Sequence, residues 1–531
     1  MSAIDLPTLI AALSRPEAFP QRTSAVEVRQ THISVVFLGD DIVYKIKKPV
    51  ALGFLDFSTL ERRRHFCDEE VRLNRRLAPH VYLGVVPVTA MPGGFRFDGV
   101  GEPVEWAVKM QRLPDGATLE SRLSRDQVTA ADLETLARRL AAFHANAEAG
   151  PHIAEYGRLA SVARNVRDNF AQALAQAGRT VTPAVYERLV TLSEEQITRL
   201  GPLIEARAER GVLRDTHGDL HLDHVYHFPS RPPPEDLVII DCIEFAERFR
   251  YADPVADMAF LAMDLKFHGR RDLARAFAKA YFVAAHDAEG PSLLPFYSAY
   301  RAVVRAKVEG IELAETEVPS GEKTRVRRLA RAHWLLALGE LEAPAHRPAM
   351  ILIAGLPGTG KSTLARGLAQ KAHFHVLRSD VVRKELAGVP PAEAASTRIA
   401  QGFYGAAWTE RTYIELEKRA GRILGQGGRV IVDANFREEG LRRRFLDFAQ
   451  KWGVPGLLLH CQARDATVKA RLAVRHGDAS DADWAVHQFA AGVWEPPRPA
   501  TLRAYRSLST DDSPEEALTR AMQLLSDEGL A

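Results

Sequence analysis

The sequence predicts an α/β half and an α+β half in one chain, on three observations. Beyond about residue 349 the apolar runs MILIAG, HVL, RVIVDA and GLLLHC alternate with helical stretches, the pattern of a mostly parallel sheet flanked by helices. Before it, a β-rich segment over about 25–113 gives way to a helical one over about 114–341, strands first and helices after. A chain of 531 residues is also too long for one hydrophobic core, and EAPAHRP at 342–348 has the composition of a linker. The expected domains are 1–341, divided into a small lobe and a helical lobe, and 349–531.

Each element has its own local reason. HISVVFLGDDIVYKIKK, residues 32–48, gives two β-rich runs around Asp40 and Asp41, a hairpin signal. From Leu60 to Leu77 charged residues surround Leu60, Phe66, Val71, Leu73 and Leu77, and the run stops before Pro79, as an amphipathic helix does. VYLGVVPV and VEWAVKMQRL form a strand pair across the turn MPGG. Helical periodicity then runs from Ala130 to Leu200, punctuated by Gly150 and Pro151. SRPPPED separates two short apolar strands, VYHF and LVIID, and helices follow to about Leu341.

Composition narrows the function classes. Hydrophobic residues at 46% and charged residues at 26% exclude a disordered or fibrous chain. From residue 350 onward there are 25 Lys and Arg against 21 Asp and Glu; subtracting these from the totals of 70 and 68 leaves 45 against 47. Neither half is a polycation, so extended tracking along nucleic acid is disfavoured, while a small anionic substrate or a nucleic-acid end is permitted. Cys67, Cys242 and Cys461 lie far apart without metal-ligand spacing, which fits a reduced, cytoplasmic compartment. No signal peptide or membrane-spanning run is read.

The strongest chemical signal is GLPGTGKST, Gly355 to Thr363, between a strand and the helix LARGLAQKA. A loop that turns its backbone N–H groups toward phosphate oxygens needs residues without bulk, here Gly355, Gly358 and Gly360, with Thr359 and Thr363 lining it. Lys361 neutralises the terminal phosphates, Ser362 offers a hydroxyl to Mg²⁺, and the helix N-terminus adds its dipole. In LRSDVVRKEL, Asp380 is expected at the end of a short strand, with Arg383 three residues later. A carboxylate there can take a proton from an attacking hydroxyl, and Arg383 can hold an anionic acceptor. RVIVDANF puts Asp433 after an apolar strand as a candidate for the Mg²⁺ water shell, with Asn435 a candidate substrate contact. Arg464, Arg471 and Arg475 lie in ARDATVKARLAVRHG; the last two, four apart, share a helix face. This half resembles P-loop kinases of the polynucleotide-kinase, zeta-toxin and gluconate-kinase type. The resemblance implies ATP with Mg²⁺, transfer to a hydroxyl, and lid arginines closing over the triphosphate.

In the first half, a Lys-bearing strand, a helix with an internal Glu and then an H-x-D loop follow the order of parts in eukaryotic-type kinases. HGDLH at 217–221 resembles the aminoglycoside phosphotransferase family, whose loop is HGDLHxxN. The resemblance implies a protein-kinase-like bilobal fold in which Asp219 orients or deprotonates an acceptor hydroxyl and Asp241, ending LVIID, binds metal. Lys45 and Lys47 both face one side of their strand, so either could reach the phosphates, and Lys45 is preferred because its spacing to Pro49 resembles the family's strand. Glu70 is its expected partner, with Glu69 the competitor, and Met110 falls at the adenine hinge. Asp253 and Asp257, in YADPVADMAF, read as helix-start groups. The departure is His224, where the family's metal-binding Asn is expected. Mg²⁺ takes oxygen ligands, so Asp223 or Glu244 compensates, Mn²⁺ replaces Mg²⁺, or the lobe is a regulatory pseudokinase that binds nucleotide without efficient transfer.

Overall fold

A computed structural model describes residues 5–52, 55–314, 319–390, 405–474 and 482–531. By contact density the chain divides into two compact units, one of residues 1–162, 201–265 and 271–294, the other of 163–200, 266–270 and 295–531.

The first unit is built on a six-stranded antiparallel sheet in the spatial order Glu27–Gln30, Ser34–Leu38, Ile42–Lys47, Pro103–Gln111, Tyr82–Met91, Gly94–Phe97. The expected hairpin turns at Asp40 and Asp41, and its register sets Lys45 opposite Val36 on one side and Val108 on the other. Alternation along Ile42–Lys47 buries Tyr44 and Ile46 with Phe37, Val88 and Phe97 on one face, which leaves Lys45 and Lys47 on the other. MPGG closes a hairpin within this sheet, but its second strand is Gly94–Phe97; VEWAVKMQ pairs with the far edge of Tyr82–Met91. The helix Leu60–Asn74, capped by Thr59, ends three residues before Leu77 and packs Cys67 and Val71 against Tyr82 and Val108. Val225–His227 and Leu237–Ile239 form the expected short antiparallel pair.

The second unit carries a five-stranded sheet, parallel at every pairing, in the order His375–Arg378, Arg429–Asp433, Ala349–Ala354, Gly456–Gln462, Tyr505–Ser509. The strand Ala349–Ala354 is buried throughout, as a parallel strand covered on both faces must be. The edge strand Tyr505–Ser509, half-exposed and rich in polar residues, carries no apolar run that would mark it in the sequence.

The expected boundary at 342–348 falls inside the second unit. Helices Pro183–Glu209 and Ser320–Leu341 begin or lie there because their side chains are committed to it. Trp334 is fully buried and donates to Thr180 Oγ1 at 3.2 Å, Arg188 pairs with Glu342 at 2.7 Å, Thr182 donates to the Gly425 carbonyl at 3.2 Å, and the Arg331 guanidinium lies 3.4 Å from the Trp452 ring centroid. Among the described residues no helix is long and apolar enough to cross a membrane.

Candidate functional site

The loop Gly355–Thr363 leaves the C-terminal end of the central parallel strand and enters the helix Lys361–Ala372, for which Gly360 is the N-cap at φ +86°. Two glycines are required by space. A Cβ at Gly355 would stand 2.5 Å from the Cys461 carbonyl, and one at Gly358, at φ +81°, would stand 2.8 Å from Val468 Cγ1. Thr359 ties the loop internally, its hydroxyl donating to the Leu356 carbonyl at 2.8 Å, while Thr510 Oγ1 donates to the Thr359 carbonyl at 2.6 Å. Thr363 is exposed on the first turn. Lys361 Nζ donates to the Leu356 carbonyl at 2.7 Å, folded back over the loop.

Beside it, Ser362 Oγ donates to Asp433 Oδ2 at 2.6 Å, so the hydroxyl and carboxylate expected to share Mg²⁺ are already paired. Parallel register makes this pairing, since Asp433 ends the strand next to Ala349–Ala354. Burial raises the Asp433 carboxyl above its ordinary value, against Lys361, Ser362 and Arg378, which favour its charge. A hydroxyl oxygen next to a carboxylate is a hard oxygen donor set that fits Mg²⁺.

Asp380 departs from its expected place. The strand ends at Arg378, and Asp380 is in the first turn of the helix Ser379–Leu386. An aspartate at an N-terminal turn is favoured by the helix dipole. It remains close enough to disfavour the charge on Asp433, and Arg383, one turn on, donates to Thr409 Oγ1 at 3.5 Å. Asn435 is exposed. Arg471 Nη2 donates to the Thr510 carbonyl at 2.5 Å, while Nη1 is buried beside Gly360 with no hydrogen-bond partner among the described residues. Arg464 is largely exposed against Asp511, and Arg475 lies outside the described residues. Trp494 stacks on His460 and Trp484 on His487, as packing residues do.

The first unit assembles a second constellation. Lys45 Nζ lies 2.9 Å from Glu70 Oε1 and 2.7 Å from Asp241 Oδ1. Glu69 turns away to Arg72. Burial works against the Lys45 charge, but Asp241 and Glu70 outweigh it and raise its pKa well above the ordinary value. Lys47 takes the other Glu70 oxygen at 2.7 Å and pairs with Glu244. Glu244 is therefore paired with Lys47. Met110, in Pro103–Gln111, packs against the core of Cys67, Val71 and Val108.

Asp219 and Asp241 flank His224, whose Nδ1 is 3.8 Å from Asp219 Oδ2 and whose Nε2 is 3.5 Å from Asp241 Oδ2. Asp241 has φ +65°, and its N–H donates to the Tyr82 hydroxyl at 3.1 Å. Asp223 bonds His221. Asp253 accepts the Val255 N–H at 2.9 Å, and Asp257 stands in the first turn of the helix that Asp253 precedes, both helix-start positions. Fully buried in the helix Pro254–Phe267, Asp257 accepts the N–H groups of His217 at 3.1 Å and Gly218 at 2.8 Å and contacts His144 at 3.0 Å, so it positions the loop. Tyr82, His221 and Thr510 are not singled out by sequence as parts of either site, and Lys47 enters there only as the alternative to Lys45. The partners of Tyr82 and Thr510 and the Glu244 partner of Lys47 lie about 150 to 200 positions away, for which no local pattern exists.

Residues 350–497 match the family model described as an AAA domain. The chain is 34% identical over 457 residues to the uncharacterized protein Rv2004c of Mycobacterium tuberculosis (strain ATCC 25618 / H37Rv), covering 86% of this chain and 88% of that one. A Mycobacterium bovis protein, also uncharacterized, gives the same figures. Among solved structures, a sugar kinase from Janibacter sp. HTCC2649 is 17% identical with a TM-score of 0.26, covering 34% of this chain and 95% of that one. A gluconokinase from Sinorhizobium meliloti 1021 is 15% identical with a TM-score of 0.26, covering 34% and 94%.

Proposed function

The chain belongs to the family of these mycobacterial proteins, and from that premise we propose that it is an ATP-dependent phosphotransferase whose surer site is the C-terminal P-loop. The observation that carries the proposal is the meeting of a phosphate-cradling loop with a separate acid–base pair. Gly355–Thr363 and the Ser362–Asp433 contact at 2.6 Å suit a nucleotide, while Asp380 and Arg383 follow the next strand, where an acceptor would lie. Arg471 supports it, since a buried guanidinium nitrogen aimed at the loop gains a partner when phosphate binds.

In this reading the loop amides and Lys361 hold the β- and γ-phosphates. Mg²⁺, held by Ser362 and Asp433, supplies charge neutralisation. Arg383 holds the acceptor, and the Asp380 carboxylate takes the proton of its hydroxyl as that oxygen attacks the γ-phosphorus, with ADP leaving. The acceptor is a small molecule, a nucleotide or a nucleic-acid end.

The first unit is proposed as an aminoglycoside phosphotransferase-like domain, with Lys45, Glu70 and Met110 on the nucleotide side, Asp219 as acceptor base and Asp241 and His224 at the metal. His224 also favours a second reading, in which this domain binds nucleotide and regulates the C-terminal enzyme. ATP turnover by Lys361→Ala and Asp219→Asn, followed by an acceptor screen, separates the two. Lys361→Ala is expected to abolish most turnover; full turnover there with loss in Asp219→Asn would reverse the ranking of the sites.

A further inference from the structure

The donor set around the loop His217–His224 departs from the one Mg²⁺ prefers. Magnesium demands oxygen ligands in near-octahedral geometry. Here two imidazoles, His221 and His224, stand with ring centroids 3.8 Å apart. His224 Nδ1 lies 2.9 Å from the Asp219 carbonyl oxygen. A carbonyl only accepts, so Nδ1 carries the proton, which leaves Nε2, 3.5 Å from Asp241 Oδ2, as the nitrogen a metal would take. His221 Nδ1 is hydrogen-bonded to the Asp223 carboxylate, and its Nε2 is 3.4 Å from Asp219 Oδ2. Each ring therefore has one nitrogen secured by an oxygen acceptor and the other turned to a second carboxylate, the means by which ligand imidazoles are oriented.

The separations fit a small nitrogen- and oxygen-ligated ion. Bonds of about 2.0–2.1 Å in a tetrahedron place ligand atoms about 3.3 Å apart. The His221–Asp219 separation is 3.4 Å, and Asp219, His221 and His224 each bring one ligand atom within 4.8 Å of the others. The imidazoles are the buried side, at 6% and 15% exposed, and Asp219 and Asp241, at 36% and 42%, leave access from solvent. Asp264 also lies within reach of His221 and Asp223, but its Oδ2 accepts the Leu222 N–H at 2.9 Å and so secures the loop.

We infer that Asp219, His221 and His224 form a three-ligand binding site for a divalent transition ion of the Zn²⁺ class in the protein without acceptor, Asp219 leaving the ion when it serves as base. Imidazole nitrogen suits such ions and suits Mg²⁺ poorly. The inference deepens the proposed reading of this loop as a nucleotide–metal site and rests on it for the ion's use, but not for the ion's binding.

The test titrates the full-length chain, without nucleotide, with Zn²⁺ against a chromophoric chelator, and with Co²⁺ to read geometry from its visible absorption. One ion per chain is expected, unaffected by millimolar Mg²⁺, with an intense tetrahedral Co²⁺ band. His221→Gln and His224→Asn should each weaken binding at least tenfold, Asp223→Asn about tenfold by loosening His221, and Asp264→Asn not at all. Wild-type affinity in both histidine variants, displacement by Mg²⁺, or an octahedral Co²⁺ spectrum overturns the site. Should a variant melt early, Co²⁺ binding to the wild-type chain followed by histidine proton shifts decides alone. ATP turnover at this loop that fails with every metal refutes the phosphotransferase reading and leaves Zn²⁺ binding standing; lost binding with turnover intact does the reverse.

Discussion

Glu70→Gln perturbs the contact on which the first unit's polar interior converges. The carboxylate is fully buried and holds Lys45 on Oε1 at 2.9 Å and Lys47 on Oε2 at 2.7 Å. Glutamine keeps the shape and one acceptor oxygen, but turns its NH₂ toward the cation that the other oxygen held. Removing one partner of a buried ion pair costs about 3–5 kcal/mol. Lys45 retains Asp241 and Lys47 retains Glu244, so the lower figure, about 3 kcal/mol, applies. At 1.36 kcal/mol per decade this is on the order of a hundredfold. Native-state hydrogen exchange of the amides in Ile42–Lys47 and Leu60–Asn74, in the fast-closing regime, reads it directly. Acceleration below about fivefold would mean that the Glu70 charge is not what holds the two lysines. A pH limb adds a check. Burial opposes the Glu70 charge, but Lys45 and Lys47 outweigh it and lower its pKa. Its stabilisation is thus present above the ordinary glutamate pKa and is lost as pH falls through the lower folded value; the glutamine variant should lack that limb.

Gly358→Ala, at φ +81° and with Val468 Cγ1 2.8 Å from the added carbon, should reduce ATP binding more than tenfold with little change in melting temperature, checked by calorimetric titration. Asp257→Ala strands the buried N–H groups of His217 and Gly218, each costing about 1–3 kcal/mol, and should abolish nucleotide-dependent protection of the loop 217–224 in hydrogen exchange. Burial lowers His460 to about 4, with Arg442 and Lys361 adding to it. The unfolded chain binds a proton near 6.5 that the folded one refuses, so stability falls as pH drops from about 6.5 to about 4 and is flat above. Melting temperatures of His460→Gln against pH should show that slope reduced.

Legibility followed how local each signal was. The strand, loop and helix around Lys361 could be read because a phosphate loop imposes glycine at fixed spacings on contiguous residues, and the apolar runs of a parallel sheet are contiguous too. The strand Tyr505–Ser509 escaped because an edge strand needs no apolar run, yet it leads to Thr510, which braces Thr359. The expected boundary and the contact-dense units differ for a similar reason. A proline- and histidine-containing stretch such as 342–348 looks like a linker by composition, whereas membership is decided by where Trp334, Arg331 and Glu342 are buried. Asp257 was recognised as structural, but its partners, the N–H groups of a loop 40 residues earlier, belong to the tertiary fold.

The two lysines of IVYKIKK show where sequence reasoning meets its physical limit. Period-2 alternation puts both on one face, and only the resemblance of the Lys45–Pro49 spacing to the family's strand ranks Lys45 first. Their surroundings rank them too. Lys47 is 1% exposed and enclosed by Glu70 and Glu244, two carboxylates that satisfy its charge inside the protein. Lys45 is 14% exposed and shares its ammonium between Glu70 and Asp241, itself 42% exposed. A phosphate approaching from solvent can exchange for Asp241 at Lys45, but would have to displace buried Glu244 to reach Lys47, leaving that carboxylate unpaired at a cost of several kcal/mol. In the proposed reading, Lys47 is then the group that holds Glu70 in place, and Lys45 the one that would meet a ligand.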